Sequence, residues 1–206
     1  MNRKEMLQLP SILAVLVLII SSASAENIDP SEDSSQYAYG ENIGWINFEP
    51  NVAAPNVGAT VSREKMTGFI WAENIGWINL SPASYGGVTN NDNGQLSGYA
   101  WAENAGWINF APDYGGITID ANGNFNGWAW GENIGWIHFR SSSPVAYKVQ
   151  VCRPGWEDLA NFVNDWLKTG PGWPADLYSD KNVDFKDFCI FAFYWLDYCP
   201  DNWPLK

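Results

Sequence analysis

A single histidine, His138, serves all 206 residues, so the chain holds no histidine metal triad, and no pattern of a nucleophile with its base is legible in it. Basic residues are scarce as well. Eleven Lys and Arg stand against 23 Asp and Glu, a net charge of -12; that sign disfavours nucleic acid and anionic membrane as partners and suits cations. No glycine-rich phosphate loop is present. The apolar run from Ile12 to Ile20 falls short of the roughly 20 residues that a bilayer span needs. Preceded by Arg3 and Lys4 and followed by Ala23-Ser24-Ala25, it reads as a secretory signal peptide over residues 1–25. No cysteine follows, which argues against a lipid anchor. The mature chain is expected to start near Glu26, to be exported, and to have no membrane span once the signal is removed. Loss of Arg3, Lys4 and Glu5 takes away two positive charges and one negative, so -12 becomes -13.

What is abundant is aromatic and repeated. YAYGENIGWINF (37–48), FIWAENIGWINL (69–80), YAWAENAGWINF (99–110) and WAWGENIGWIHF (128–139) are four copies of one cassette, and Trp45, Trp77, Trp107 and Trp136 follow at intervals of 32, 30 and 29 residues. A period of this length signals repeated structural units. Within a copy the pattern has period two: Trp107 and Asn109 alternate with Ile108 and Phe110 after the Glu103-Asn104-Ala105-Gly106 turn, which predicts a hairpin. GGVTN (86–90) and GGITID (115–120) supply a further strand upstream, and Asn93-Gly94 and Asn122-Gly123 suit primed hairpin turns. Each unit is then a three-stranded meander. The first lacks a leading strand, because Glu26 to Gln36 is polar, while AYKVQV (146–151) is a strand without a unit. The expected fold is mainly β with a small α module, its units forming an open stack glued by indole rings; the alternative is a small closed ring of the propeller kind.

Two features of the cassette admit functional readings. The pairs Glu41-Asn42, Glu73-Asn74, Glu103-Asn104 and Glu132-Asn133 resemble ligand groups, yet Asn tolerates left-handed geometry and the Gly two residues on permits a reversal, so turn chemistry accounts for them. One carboxylate copied at equivalent positions also lacks the two distinct environments that glycoside hydrolysis requires. Trp71, Trp101, Trp128 and Trp130, with the cassette tryptophans, fit cross-strand packing or, if exposed, a platform for sugar rings. His138 stands where the other copies have Asn47, Asn79 and Asn109 and reads as a tolerated substitution.

After Ser141-Ser142-Ser143-Pro144 the period becomes helical, which divides the chain into a β-repeat domain over 26–143 and a helical module over 144–206. Leu159, Phe162, Val163, Trp166 and Leu167 repeat 29 residues later as Phe188, Phe191, Ala192, Trp195 and Leu196, giving each of two helices one apolar stripe for the other. Before the second helix, Asp176, Asp180, Asp184 and Asp187 take positions 1, 5, 9 and 12 of a calcium loop, with the Asn182 carbonyl at position 7 and aliphatic Val183 at position 8. Tyr178 stands in place of an oxygen ligand and Lys181 in place of the turn glycine. The other reading of the segment is a solvated acidic turn that caps the helix beginning near Asp184.

With its duplicated helices, DLYSDKNVDFKDFCIFAFYWL (176–196) resembles a degenerate type I dockerin, a resemblance covering about 50 residues that implies at most one bound calcium and a cohesin-like partner. The cassettes are similar to repeats of exported bacterial surface proteins of unknown function. Ile190, Phe193 and Tyr194 form a second apolar face on the second helix, for a partner or for the repeats themselves. Of three cysteines, Cys189 and Cys199 would lie about 15 Å apart along a helix, so Cys152–Cys199 is the expected disulfide and Cys189 a buried free thiol. The chain is expected to be a secreted, non-catalytic protein of surface binding or assembly, or alternatively a carbohydrate-binding module of an extracellular polysaccharide-degrading system.

Overall fold

The computed structural model describes residues 27–52, 54, 57–195, 197–200 and 203–205. The signal segment, the expected start at Glu26 and Leu196 of the second stripe lie outside the described residues. The cassettes form hairpins: β1 (Tyr37–Gly40) with β2 (Gly44–Asn47), β4 (Met66–Ala72) with β5 (Gly76–Asn79), β7 (Leu96–Ala102) with β8 (Gly106–Asn109), and β10 (Phe125–Gly131) with β11 (Gly135–His138). In each, aromatic residues face one another across the ladder, as Trp71↔Trp77, Trp101↔Trp107, Trp130↔Trp136 and Tyr39↔Trp45. Further strands β3 (Gly58–Val61), β6 (Gly87–Asn90) and β9 (Gly116–Ile119) pair with β4, β7 and β10. The three-stranded meander read from the third unit is therefore present as β6, β7 and β8.

The units do not form an open stack. Neighbouring hairpins join in one register throughout, Ile46↔Ala72, Ile78↔Ala102, Ile108↔Gly131 and Ile137↔Gly40. The last of these pairs β11 with β1 and closes eight antiparallel strands into a barrel. An open stack would leave both end strands with unpaired N–H and C=O groups, which closure removes. AYKVQV completes the ring: β12 (Arg140–Ser141) pairs with β13 (Tyr147–Lys148), Val149 then bridges Gln36, and Val151 bridges Ile28. The orphan strand is the leading strand of the first unit, so residues 146–151 belong with the barrel. Ring closure was the alternative architecture, but it occurs through one continuous wall and not through propeller blades.

The barrel interior holds the even members of the alternation. Ala38, Ile70, Ala100 and Ala129, then Ile46, Ile78, Ile108 and Ile137, are buried, with Phe48, Leu80, Phe110 and Phe139 beneath them. An eight-stranded barrel is just wide enough for side chains to fill. Indole adhesion between stacked sheets is thereby corrected: aliphatic and Phe side chains join the units from inside, and the tryptophans face out.

The turns differ in detail from expectation. In each ENxGW turn it is Gly44, Gly76, Gly106 or Gly135 that takes positive φ, 74° to 84°, and not the asparagine. Asn42, Asn104 and Asn133 instead donate from Nδ2 to the carbonyls of Ile134, Ile75 and Ala105 in the adjacent unit, at 3.0 to 3.1 Å. At the other end, Gly94 N donates to Asn91 O and Gly123 N to Asp120 O, at 2.8 and 2.9 Å. Within each of these two turns the glycine alone has positive φ, which makes a type I turn followed by a left-handed glycine and not a primed turn.

Helices α1 (Trp156–Asp165) and α2 (Phe185–Tyr194) follow. Asp184 is the N-cap of α2 and Asp187 closes its capping box. The stripes meet only in part: Phe162 stacks on Phe191 at 5.2 Å, whereas Val163 within α1, and Trp166 and Leu167 beyond its end at Asp165, are exposed. Their place is taken by Ala175, Val183, Trp203 and Leu205, which share the small core with Phe162 and Phe191.

Candidate functional site

Outward-facing aromatic residues form a girdle around the barrel. Trp71, Trp101 and Trp128 are 37 to 41% exposed, as is Trp45, while Trp107 and Trp136 are 36% exposed; Trp130 is half-buried. The cross-strand pairs lie edge to face with centroids 4.7 to 4.9 Å apart for Trp71–Trp77, Trp101–Trp107 and Trp130–Trp136. Packing and exposure thus coexist, since an edge-on pair stabilises the sheet and leaves ring faces open to solvent.

The girdle is grooved at the seams between units. Between the first and second units a groove of about 830 Å³ is lined by Tyr37, Trp45, Trp71 and Tyr147, with Asn47 and Glu73 among its polar groups. Trp45 meets Tyr147 edge-on at 5.2 Å. Asp33, Arg140 and Lys148 also line the groove, and its cations are partnered: Lys148 Nζ lies 3.4 Å from Asp33 and Arg140 Nη1 lies 3.7 Å from Asp120. A second groove, about 510 Å³, lies between the third and fourth units, where Tyr85, Tyr99, Trp107 and Trp130 surround Glu132. Glu41, Glu73, Glu103 and Glu132 all stand exposed on the rim.

Sequence reasoning missed the loop residues of these grooves. Tyr85, in the second groove, and Tyr114, beside Trp128 and Trp136, each precede Gly-Gly, a repeat legible in SYGGV and DYGGI. The glycines matter because a Cβ on Gly86 would stand 2.7 Å from the Trp107 ring and one on Gly115 2.8 Å from the Trp136 ring. Asp33 lies in the segment read as polar leader, Arg140 just before the expected linker, and Tyr147 in the strand AYKVQV that had no unit, so none stood at a cassette position.

His138 is not a mere substitution. Asn47, Asn79 and Asn109 accept from the backbone N–H two residues on, at 2.8 to 2.9 Å, and so end their strands. In the fourth unit the chain runs on into β12, and His138 stacks on Trp128 at 3.8 Å with Nδ1 3.2 Å from the Tyr147 hydroxyl. Burial between these rings lowers its pKa, which favours the neutral ring.

The loop over 176–187 closes on its own donors. Asp176 accepts from the backbone N–H groups of Asp180 and Lys181, and the wholly buried Asp187 accepts from those of Tyr178 and Asp184. Lys181 takes φ +69° without being glycine. The Lys186 ammonium sits 2.7 Å from Asp180 and holds that carboxyl below its ordinary pKa. In this arrangement Asp176, Asp180, Asn182, Asp184 and Asp187 form a hydrogen-bonded turn and helix cap, and among the described residues no group of three or more His, Cys, Asp or Glu side chains draws together.

Cys152 and Cys199 are bonded, with Cα atoms 5.3 Å apart. Cys189 is exposed and not buried, because it points away from the Phe162–Phe191 contact. Of the expected partner face, Phe193 is exposed, Ile190 is half-buried, and Tyr194 packs on Trp203 at 5.7 Å. No protein-family model, no curated protein and no solved structure matches the chain.

Proposed function

We propose that this protein is a secreted, non-catalytic carbohydrate-binding protein whose barrel takes neutral glycan chains in the groove between its first two units. The observation that carries the reading is the exposure of Trp45 and Trp71 in a groove that also presents Asn47 and Glu73. Flat ring faces bury the apolar faces of pyranoses, and the polar groups at the margin accept and donate to their hydroxyls. Against hydrolysis stands the placing of the four glutamates: each is on the open rim in an equivalent setting, where the two separated roles of a glycosidase pair have no basis. Trp71→Ala is expected to weaken binding of a neutral oligosaccharide such as cellohexaose at least about tenfold, with an unchanged far-UV spectrum. Folded native protein that binds no neutral hexasaccharide would remove the proposal.

The helical module is proposed as the assembly element of the same protein. Loop spacing, Val183 buried behind the loop, and Val183 N donating to Lys168 O at 2.9 Å support the dockerin resemblance and with it a cohesin-like partner. Calcium would have to take Asp180 from Lys186. Lys186→Met is accordingly expected to raise calcium affinity roughly tenfold in titration calorimetry of the full chain. No heat from either protein would take calcium out of the account.

A further inference from the structure

Resting on the same reading of the girdle, we propose that the groove between the third and fourth units takes a cationic sugar, a protonated 2-amino pyranose. The two grooves differ in charge. The first balances Asp33 and Glu73 against Arg140 and Lys148, whereas Glu132 is the one charged side chain among the described residues that line the second. No Lys or Arg among the described residues forms an ion pair with Glu132. Around it, Tyr85 and Tyr99 both meet Trp107 edge to face, at 5.6 and 6.4 Å, and Trp130 forms the opposite wall. π faces set about a single carboxylate attract an organic ammonium twice over, through the ring quadrupoles and through the opposite charge.

The neighbouring amides are held by the wall itself: Asn133 Nδ2 donates to Ala105 O at 3.1 Å, and Asn109 Oδ1 accepts from Ala111 N at 2.9 Å. Glu132 is the one anionic acceptor among the lining residues, so an ammonium bound over the rings is drawn to it. Acidic sugars are disfavoured by that carboxylate and by the net charge of -12, and a neutral sugar gains stacking alone.

Calorimetry of the full chain with three probes decides the matter: a fully deacetylated glucosamine hexasaccharide with its amines protonated, the N-acetylated hexasaccharide, and cellohexaose. The deacetylated probe is expected to bind native protein, to lose roughly tenfold in affinity to Glu132→Gln, and to be unaffected by Trp71→Ala. Binding of the neutral probes is expected to show the reverse dependence. Glu132→Gln without effect, equal weakening of charged and neutral probes, or no binding of the deacetylated probe would each overturn the assignment. Loss of neutral binding alone would remove the function proposed for the first groove and leave this one standing.

Discussion

Phe139→Ala is expected to cost about 3–5 kcal/mol of stability, measured as a drop in the midpoint of guanidinium unfolding with unchanged slope. Phe139 is 1% exposed and joins units that are far apart in the chain: it stacks on Phe125 at 6.0 Å and meets Phe48 at 5.5 Å and Phe110 at 5.9 Å edge to face. Removing its ring opens a cavity where three units converge, and neighbours held in a closed wall relax into it only partly. An open stack predicts otherwise. There the fourth unit would touch the third alone, and the truncation would loosen the chain end and broaden the transition. A loss under about 1 kcal/mol would contradict the closed barrel.

Much of this barrel is legible in the cassettes. The alternation of Ile108 and Phe110 with Trp107 and Asn109 gave the hairpins and their two faces, because one strand has only two faces to offer. It did not say which face is inside. Indoles are the larger apolar groups, and burying them is the natural first reading; but eight strands enclose a bore that Ala, Ile and Phe already fill, and the rings are left outside. The small residue before each turn carries the same information. A Cβ at Gly40 or Gly131 would stand 2.7 or 2.6 Å from Ile43 or Ile134, and where Ala102 occurs the facing residue is Ala105. The second cassette departs from this exchange, setting Ala72 with an Ile75 that is only partly buried.

Closure was harder to see, because it depends on residues without period. The strand that completes the first unit lies more than 100 residues downstream of Gln36, and only the pairing Gln36↔Val149 reveals it. The girdle was foreseen as one of two readings of the same tryptophans. Its grooves were not, since Tyr85 comes from a loop, and Tyr147 and Arg140 come from two short strands whose places follow from the ring having closed. In the loop over 176–187 the spacing of the four carboxylates is legible in the chain, whereas their hydrogen bonds to Lys186 and to backbone N–H groups are not.

Reducing Cys152–Cys199 is expected to destabilise the helical module by about 4 kcal/mol, the chain-entropy value for its sequence separation of 47 residues. The bond sits where the module leaves and regains the barrel. Cys152 N donates to Asn27 O at 2.8 Å, Cys199 N to Cys152 O at 3.0 Å, and the Asn27 amide donates to the carbonyls of Cys199 and Val61 at 3.0 and 2.8 Å. On the barrel side Tyr198 is buried with its hydroxyl 2.9 Å from Asn90 Nδ2, and Arg63 pairs with Asp197 at 2.7 Å. These contacts persist on reduction, so the barrel has little to lose. The module's own core centres on Phe162, Phe191, Val183 and Trp203, a small set to offset the ordering of more than 40 residues. Thermal unfolding in reductant should therefore separate into two steps. The helical far-UV signal is expected to melt roughly 20 °C lower than in the oxidised protein, while the near-UV signal of the girdle tryptophans holds its midpoint. Cys189→Ser, at an exposed position outside the pair, keeps disulfide exchange from confusing the oxidised reference. Coincident transitions at an unchanged midpoint would mean that Asn27 and Tyr198 hold the two parts together without the bond.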